Sequence, residues 1–151
     1  MPTSRRVVLI TGAARRIGAA IARRLHADGC DVALHYRDSA ADMHGLVDEL
    51  EAGRQGSTLM LQADLAVFDR LPELVARTVG HFGRLDALVN NASAFYPTPV
   101  GGATPAQWEE LFAVNARAPY AMRWPPSMCG RTAGWVLKRW NSLKGLNQGF
   151  L

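Results

Sequence analysis

Between an apolar run, Val7-Val8-Leu9-Ile10, and a helical pattern lies the segment Thr11-Gly12-Ala13-Ala14-Arg15-Arg16-Ile17-Gly18. A glycine turn at a strand-to-helix junction aims backbone N–H groups and the positive end of the helix at one point, and a pyrophosphate binds such a point. Gly12 suits the tight turn, Gly18 suits close packing of the helix, and Arg15 and Arg16 add charge for phosphate. A second group follows the next apolar run, as His35-Tyr36-Arg37-Asp38-Ser39. At this strand end an acid holds a ribose 2′-hydroxyl, whereas an arginine accommodates a 2′-phosphate. Arg37 stands nearest the strand end, and Arg16 is expected to face it across the turn. Two guanidiniums suit a dianionic phosphate, which favours NADPH over NADH. Asp38 is expected to be a solvated residue near the next helix N-terminus rather than a ribose ligand.

The elements that must hold these groups alternate in type. After the strand at 7–10, a helix is predicted over 15–28 with Ile17, Ile21 and Leu25 on one face and Gly29 closing it. A strand over 31–36 follows. Ser39-Ala40-Ala41-Asp42 reads as a capping box for a helix carrying Leu46, Val47 and Leu50. Next come a strand over 57–62, a helix over 69–82 with Leu71, Leu74, Val75 and Val79 inward, and a strand over 85–89. Thr104-Pro105-Ala106-Gln107 is a second capping box, opening a helix with Trp108, Leu111, Phe112 and Asn115. Strands that are continuously apolar and alternate with helices imply an α/β fold: a Rossmann-type, doubly wound parallel sheet in three αβα layers.

The whole chain has 151 residues, room for one domain. Its 48% hydrophobic and 20% charged composition supports a packed core. No apolar stretch is long enough to span a membrane, and no small-residue cleavage pattern suggests a signal peptide. Cys30 and Cys129 make neither a disulfide framework nor a metal cluster, so a reducing cytoplasm is expected. The four histidines lack metal-ligand spacing, and no metal is expected. The formal charge of +4 is unevenly placed. All 13 acids precede residue 123, while 123–151 hold Arg123, Arg131, Lys138, Arg139 and Lys144. Trp124, Trp135 and Trp140 lie there too, Trp124-Pro125-Pro126 breaks any helix, and no sustained periodicity follows. The expected organisation is therefore a partial dinucleotide-binding domain over 1–122 and a basic, Trp-rich tail over 123–151 outside the fold.

Three features together resemble the short-chain dehydrogenase/reductase family: the Thr11-Gly12 turn closing at Gly18, Asp64-Leu65 after the third strand, and Asn90-Asn91-Ala92 after the fourth. Arg16, where most members have glycine, narrows the resemblance to the pteridine reductases. So do Leu34-His35-Tyr36-Arg37 and the run from Asn90 through Phe95-Tyr96-Pro97-Thr98-Pro99. Those enzymes reduce pterins with NADPH. The resemblance covers roughly residues 5–122 and implies roles residue by residue. Gly12, Arg16, Ile17 and Gly18 would hold the pyrophosphate region. His35, Tyr36, Arg37 and Ser39 would surround the adenosine ribose and its phosphate. Asp64 and Leu65 would contact adenine, and Asn91, Ala92 and Ser93 would line the path to the nicotinamide. Phe95 would stack on the pterin, and Asn115 would help hold a proton-relay water. Asp38 departs from the family, which often has a basic or small residue there. Plainer roles also fit: Asp64, Asn90 and Asn91 as turn residues, Phe95 and Tyr96 as packing, Asn115 as a solvated helix residue.

The family's proton donor is a Tyr-x-x-x-Lys pair. Here Tyr36, Tyr96 and Tyr120 are followed four residues on by Ala40, Val100 and Trp124. The chain is expected to be inactive alone and truncated after the fourth strand and its helix, leaving that strand as an open edge. The compositional change near Arg123 reads as a shift of reading frame, the alternative being a tail that binds RNA or an acidic surface. Three functions follow in order: an NADPH-dependent pterin reductase fragment, a non-catalytic nucleotide-binding or interaction module, and a general carbonyl reductase. A small pterin-type substrate is expected rather than nucleic acid or membrane, and family members are often homotetramers.

Overall fold

One four-residue strand shows how the layers arise. In the computed structural model, which describes residues 5–122, β1 (Val7–Ile10) is buried along its whole length. Val7 and Leu9 enter one core cluster, Val8 and Ile10 the other. A strand needs apolar residues at every position when both its faces are covered, because neighbours point to opposite sides. Each fully buried Leu or Ile contributes about 2 kcal/mol.

Around β1 the chain lays down α1 (Arg16–Ala27), β2 (Asp31–Tyr36), α2 (Ala40–Gly53) and β3 (Thr58–Gln62). Then come α3 (Leu71–Phe82), β4 (Ala87–Val89), α4 (Pro105–Phe112) and α5 (Ala118–Ala121). A 3-10 turn at Phe68–Arg70 leads into α3, and a π-helical turn at Ala113–Arg117 joins α4 to α5. The sheet order is β3-β2-β1-β4, every pairing is parallel, and β1 matches Ile10 to Leu34 on one side and to Val89 on the other. The helices α1 and α2 cover one face with Ala19, Ala22, Met43, Leu46 and Leu50. On the other, α3 and α5 contribute Leu71, Leu74, Val75 and Ala118. This is the expected three-layer Rossmann-type arrangement. β3 and β4 are the two edge strands of the described sheet. The tail over 123–151 and its Trp-Pro-Pro break lie outside the described residues.

Three local expectations need correction. The inward stripe of α1 is Gly18, Ala19, Ala22 and His26, while Ile17 is 70% exposed. Small side chains at the centre bring the helix close to the sheet and push the larger ones to its margins. Ser39 occupies the N-cap of α2 but makes no capping bond, because its hydroxyl accepts from the Arg15 guanidinium. The predicted helix over 69–82 begins as the 3-10 turn and becomes α-helical at Leu71, beside Pro72 in the first turn. By contrast, the Thr104 capping box forms in full: Thr104 Oγ1 accepts from the Gln107 amide and Gln107 Oε1 from the Thr104 amide. None of α4 is buried among the described residues, and Trp108 stacks on Phe112 at 5.7 Å on its exposed surface. No helix among the described residues is long and apolar enough to cross a membrane.

Candidate functional site

The carboxyl ends of β1, β2 and β4 meet where the strand order reverses, and the turn after β1 lies at that corner. Thr11 anchors it. Its Oγ1 accepts from the amides of Asn91 and Ala92, both at 3.0 Å, and donates to the Val89 carbonyl at 3.3 Å. Asn91 Nδ2 answers by donating to the Thr11 and Gly12 carbonyls, each at 3.0 Å. Both glycines of the turn are sterically required. Gly12 has φ +62°, and a Cβ there would stand 2.9 Å from Ala92 Cα. At Gly18 a Cβ would collide with the Gly12 carbonyl and lie 2.7 Å from Asn91 Nδ2. Close packing at Gly18 is thus against the turn and the β4 exit. Asn91 and Ala92 help build the site from within, and Ser93 beside them is exposed.

The start of α1 is open to an anion. Arg15 is its N-cap in extended conformation and makes no side-chain cap, and the first turn holds no acid. The first turns of α2 and α3 carry Asp42 and Glu73, and α4 has its capping box. The first amides of a helix have no intrahelical acceptor, so those of α1 are available to a ligand. Arg15, Arg16 and Ile17 are exposed around them. Arg16 holds φ 50°, left-handed for a non-glycine residue.

At the end of β2 the charges are organised differently from expectation. Arg15, not Arg16, reaches across to α2, pairing with Asp42 at 2.8 Å and with Ser39. Arg37 pairs with its neighbour Asp38 at 2.6 Å, which raises the guanidinium pKa further. Asp38 is thus exposed but engaged. Tyr36 is buried in the core beside α1 and α2. His35 is buried beneath the turn, with Nδ1 accepting from Gly12 N–H at 3.2 Å and Nε2 3.1 Å from the Ala63 carbonyl. The side chains left at the surface of this corner are Arg37, Asp38 and part of Ser39.

Beyond β3, Leu65 is buried in the core cluster under α3, so Asp64 is what the corner exposes. Asp64 Oδ1 accepts from the Ala66 amide at 2.9 Å, a turn-capping bond. A shallow depression next to it is lined by Gln62, Val67, Arg70 and Arg77. Beyond β4, Asn115 in the π-helical turn clamps the loop at Ala94, donating to its carbonyl at 2.9 Å and accepting from its amide at 3.0 Å. Its side-chain amide is thereby committed to the loop. Tyr96 donates to Glu110 at 3.0 Å, and partial burial and that carboxylate raise the phenol pKa. Between these two anchors Phe95 projects outward, 86% exposed. No group of three His, Cys, Asp or Glu side chains among the described residues is placed to hold a metal ion.

Sequence reasoning missed the Thr11–Asn91 link, the Arg15–Ser39 bond, the burial of His35 and Leu65, and the Tyr96 anchor. Only Thr11 carried a signal, as a hydroxyl at the buried end of an apolar strand.

Comparison with known proteins agrees with this geometry. The family model for short chain dehydrogenases matches residues 6–146, running past residue 122. Pteridine reductase 1 of Leishmania tarentolae is 41% identical over 145 aligned residues, covering 76% of this chain and 50% of the relative. A hydroxynaphthalene reductase of Aspergillus fumigatus is 38% identical over 119, covering 78% and 43%. Among solved structures, a blue fluorescent protein from a metagenomic library, crystallised with NADPH, superposes with a TM-score of 0.74 at 39% identity, covering 78% of this chain and 48% of that one. The chain spans about half the length of these relatives.

Proposed function

The chain belongs to the short-chain dehydrogenase family, and on that premise we propose that it binds NADPH across the carboxyl ends of β1, β2 and β4 and offers a pterin-type ring a stacking surface at Phe95. The observation that carries the reading is the uncapped, acid-free start of α1 against a glycine turn, with Arg15 and Arg16 exposed beside it. The donor set fits the cofactor: the helix amides and the exposed Arg16 for the pyrophosphate, and Arg37 as the cation for the 2′-phosphate. Asp64 and its depression would take the adenine side. Asn91, Ala92 and Ser93 would border the nicotinamide path. NADPH supplies a hydride when bound.

The chain's own part is holding and orienting. Asn115 and Tyr96 pin the loop on either side of Phe95, and an aromatic face held outward favours a flat heteroaromatic over a simple carbonyl compound. Proton delivery is a separate matter. No tyrosine in the sequence has lysine four residues on, Tyr36 is buried, and Tyr96 is bound to Glu110. Cofactor binding without turnover is therefore the expected behaviour. The same reading places the protein in a reducing cytoplasm, where the buried Cys30 thiol persists.

The test is titration of the full chain with NADPH and NADH, followed by nicotinamide fluorescence. Tighter binding of NADPH, lost on Arg16→Ala, supports the proposal. A folded chain whose addition leaves nicotinamide fluorescence and the protein's melting point unchanged sinks it. Pterin quenching that disappears in Phe95→Ala tests the substrate class separately.

A further inference from the structure

Three pieces of the nucleotide site converge on one imidazole. His35 is 2% exposed. Its Nδ1 takes the Gly12 N–H at 3.2 Å, its Nε2 is 3.1 Å from the Ala63 carbonyl, and its own carbonyl takes the Ala13 N–H at 2.8 Å. A peptide N–H only donates and a carbonyl only accepts. One form of the ring satisfies both side-chain contacts: neutral, with its proton on Nε2. The Gly12 and Ala13 amides are therefore taken up inside the protein, and the donors left without an intrahelical acceptor are those at the start of α1, from Arg16 to Gly18.

We infer that His35 is a positioning residue for the dinucleotide: in its Nε2–H form it staples the phosphate turn to the corner after β3, fixing the spacing between the α1 amides and the Asp64 edge. The inference rests on the NADPH reading above. It assigns His35 a place behind the site rather than at the ribose. A doubly protonated ring would set an N–H against the Gly12 N–H and open the staple on the turn side. Burial holds His35 below the ordinary histidine value, with the Ala63 bond and the charge of Asp64 acting in the opposite sense. Charged groups on the surrounding segments are Arg15 and Arg16 on the turn, Arg37 after β2 and Asp64 after β3, and Asp64 is the one with a Coulombic effect on the ring.

The test uses the full chain and three variants. Long-range 1H–15N NMR should show an Nε2–H ring at neutral pH, and an Nδ1–H ring overturns the proposal. His35→Phe keeps the ring shape without its nitrogens, and the Kd for NADPH should rise about tenfold, the equivalent of one lost hydrogen bond. His35→Asn places a carbonyl oxygen where Nδ1 stands and should recover only part of the affinity, because the Ala63 end of the staple stays open. His35→Gln keeps only a donor toward Ala63 and should not. Wild-type affinity should fall in acid, at a pH below the ordinary histidine value, as the buried ring protonates, and His35→Asn should abolish that part of the fall. A folded His35→Phe chain binding within about twofold of wild type, or an acid profile unchanged in His35→Asn, overturns the staple. If wild type binds no NADPH, the functional reading fails by itself. The staple is then decided by the ring tautomer and by hydrogen exchange at the Gly12 amide, which should accelerate in His35→Phe and His35→Gln but not in His35→Asn. Unchanged exchange in all three overturns it.

Discussion

Thr11 and Asn91 stand 80 positions apart in the chain and grip each other from both sides, the threonine hydroxyl accepting the asparagine's amide and the asparagine side chain donating to the threonine carbonyl. The phosphate turn and the loop after β4 are therefore one mechanical unit. Thr11→Val keeps the shape but leaves the Asn91 and Ala92 amides without their acceptor. The expected loss is about 2 kcal/mol, read by urea unfolding, with Thr11→Ser close to wild type. Equal stability of the valine variant would show that water replaces the bond.

Asp38 holds Arg37 at 2.6 Å on an exposed surface. Its carboxylate competes with any phosphate for that guanidinium. Asp38→Asn should tighten NADPH a few-fold, about 1 kcal/mol at most for an exposed pair, while leaving NADH unchanged. Raised salt should shrink the difference. An equal gain for both nucleotides would place Asp38 away from the 2′-phosphate.

Asn115 is the only side chain seen bonding to both backbone groups of Ala94 among the described residues. Asn115→Ala removes both bonds and should cost about 1–2 kcal/mol. Hydrogen exchange at the Ala94 amide should accelerate, and pterin quenching through Phe95 should weaken more than NADPH binding does. Matched losses of the two would argue against a local effect.

His35 and His26 are both held below the usual histidine range, chiefly by burial. Unfolding restores a value of about 6.5. Below that point the unfolded chain takes up protons that the folded chain refuses, so stability falls with acid and levels off once the folded rings also protonate. The melting temperature should be flat near neutrality and decline below about pH 6.5, less steeply in His35→Asn. A melting temperature independent of pH across that window would contradict the assignment.

What could be read from the chain was local or periodic. The apolar run of β1, the Gly12–Gly18 turn and the Thr104–Gln107 capping box each depend on residues close in sequence, and each formed. Ser39 followed the same capping pattern, but a guanidinium 24 residues away took its hydroxyl. Leu65 looked like a binding residue beside Asp64, yet its side chain fills the core under α3. His35 carried no mark of its role because Gly12 and Ala63 lie 23 and 28 residues from it. Contacts that only the assembled sheet creates leave no trace in spacing.

The left-handed backbone at Arg16, with φ 50°, costs an L-residue about 1 kcal/mol that glycine avoids. Arg16→Gly should therefore raise the melting temperature by about 4 °C and weaken NADPH binding in the same molecule. Robustness and affinity pull against each other at a single side chain. A screen for heat tolerance alone would discard this arginine, and a screen for ligand capture would restore it.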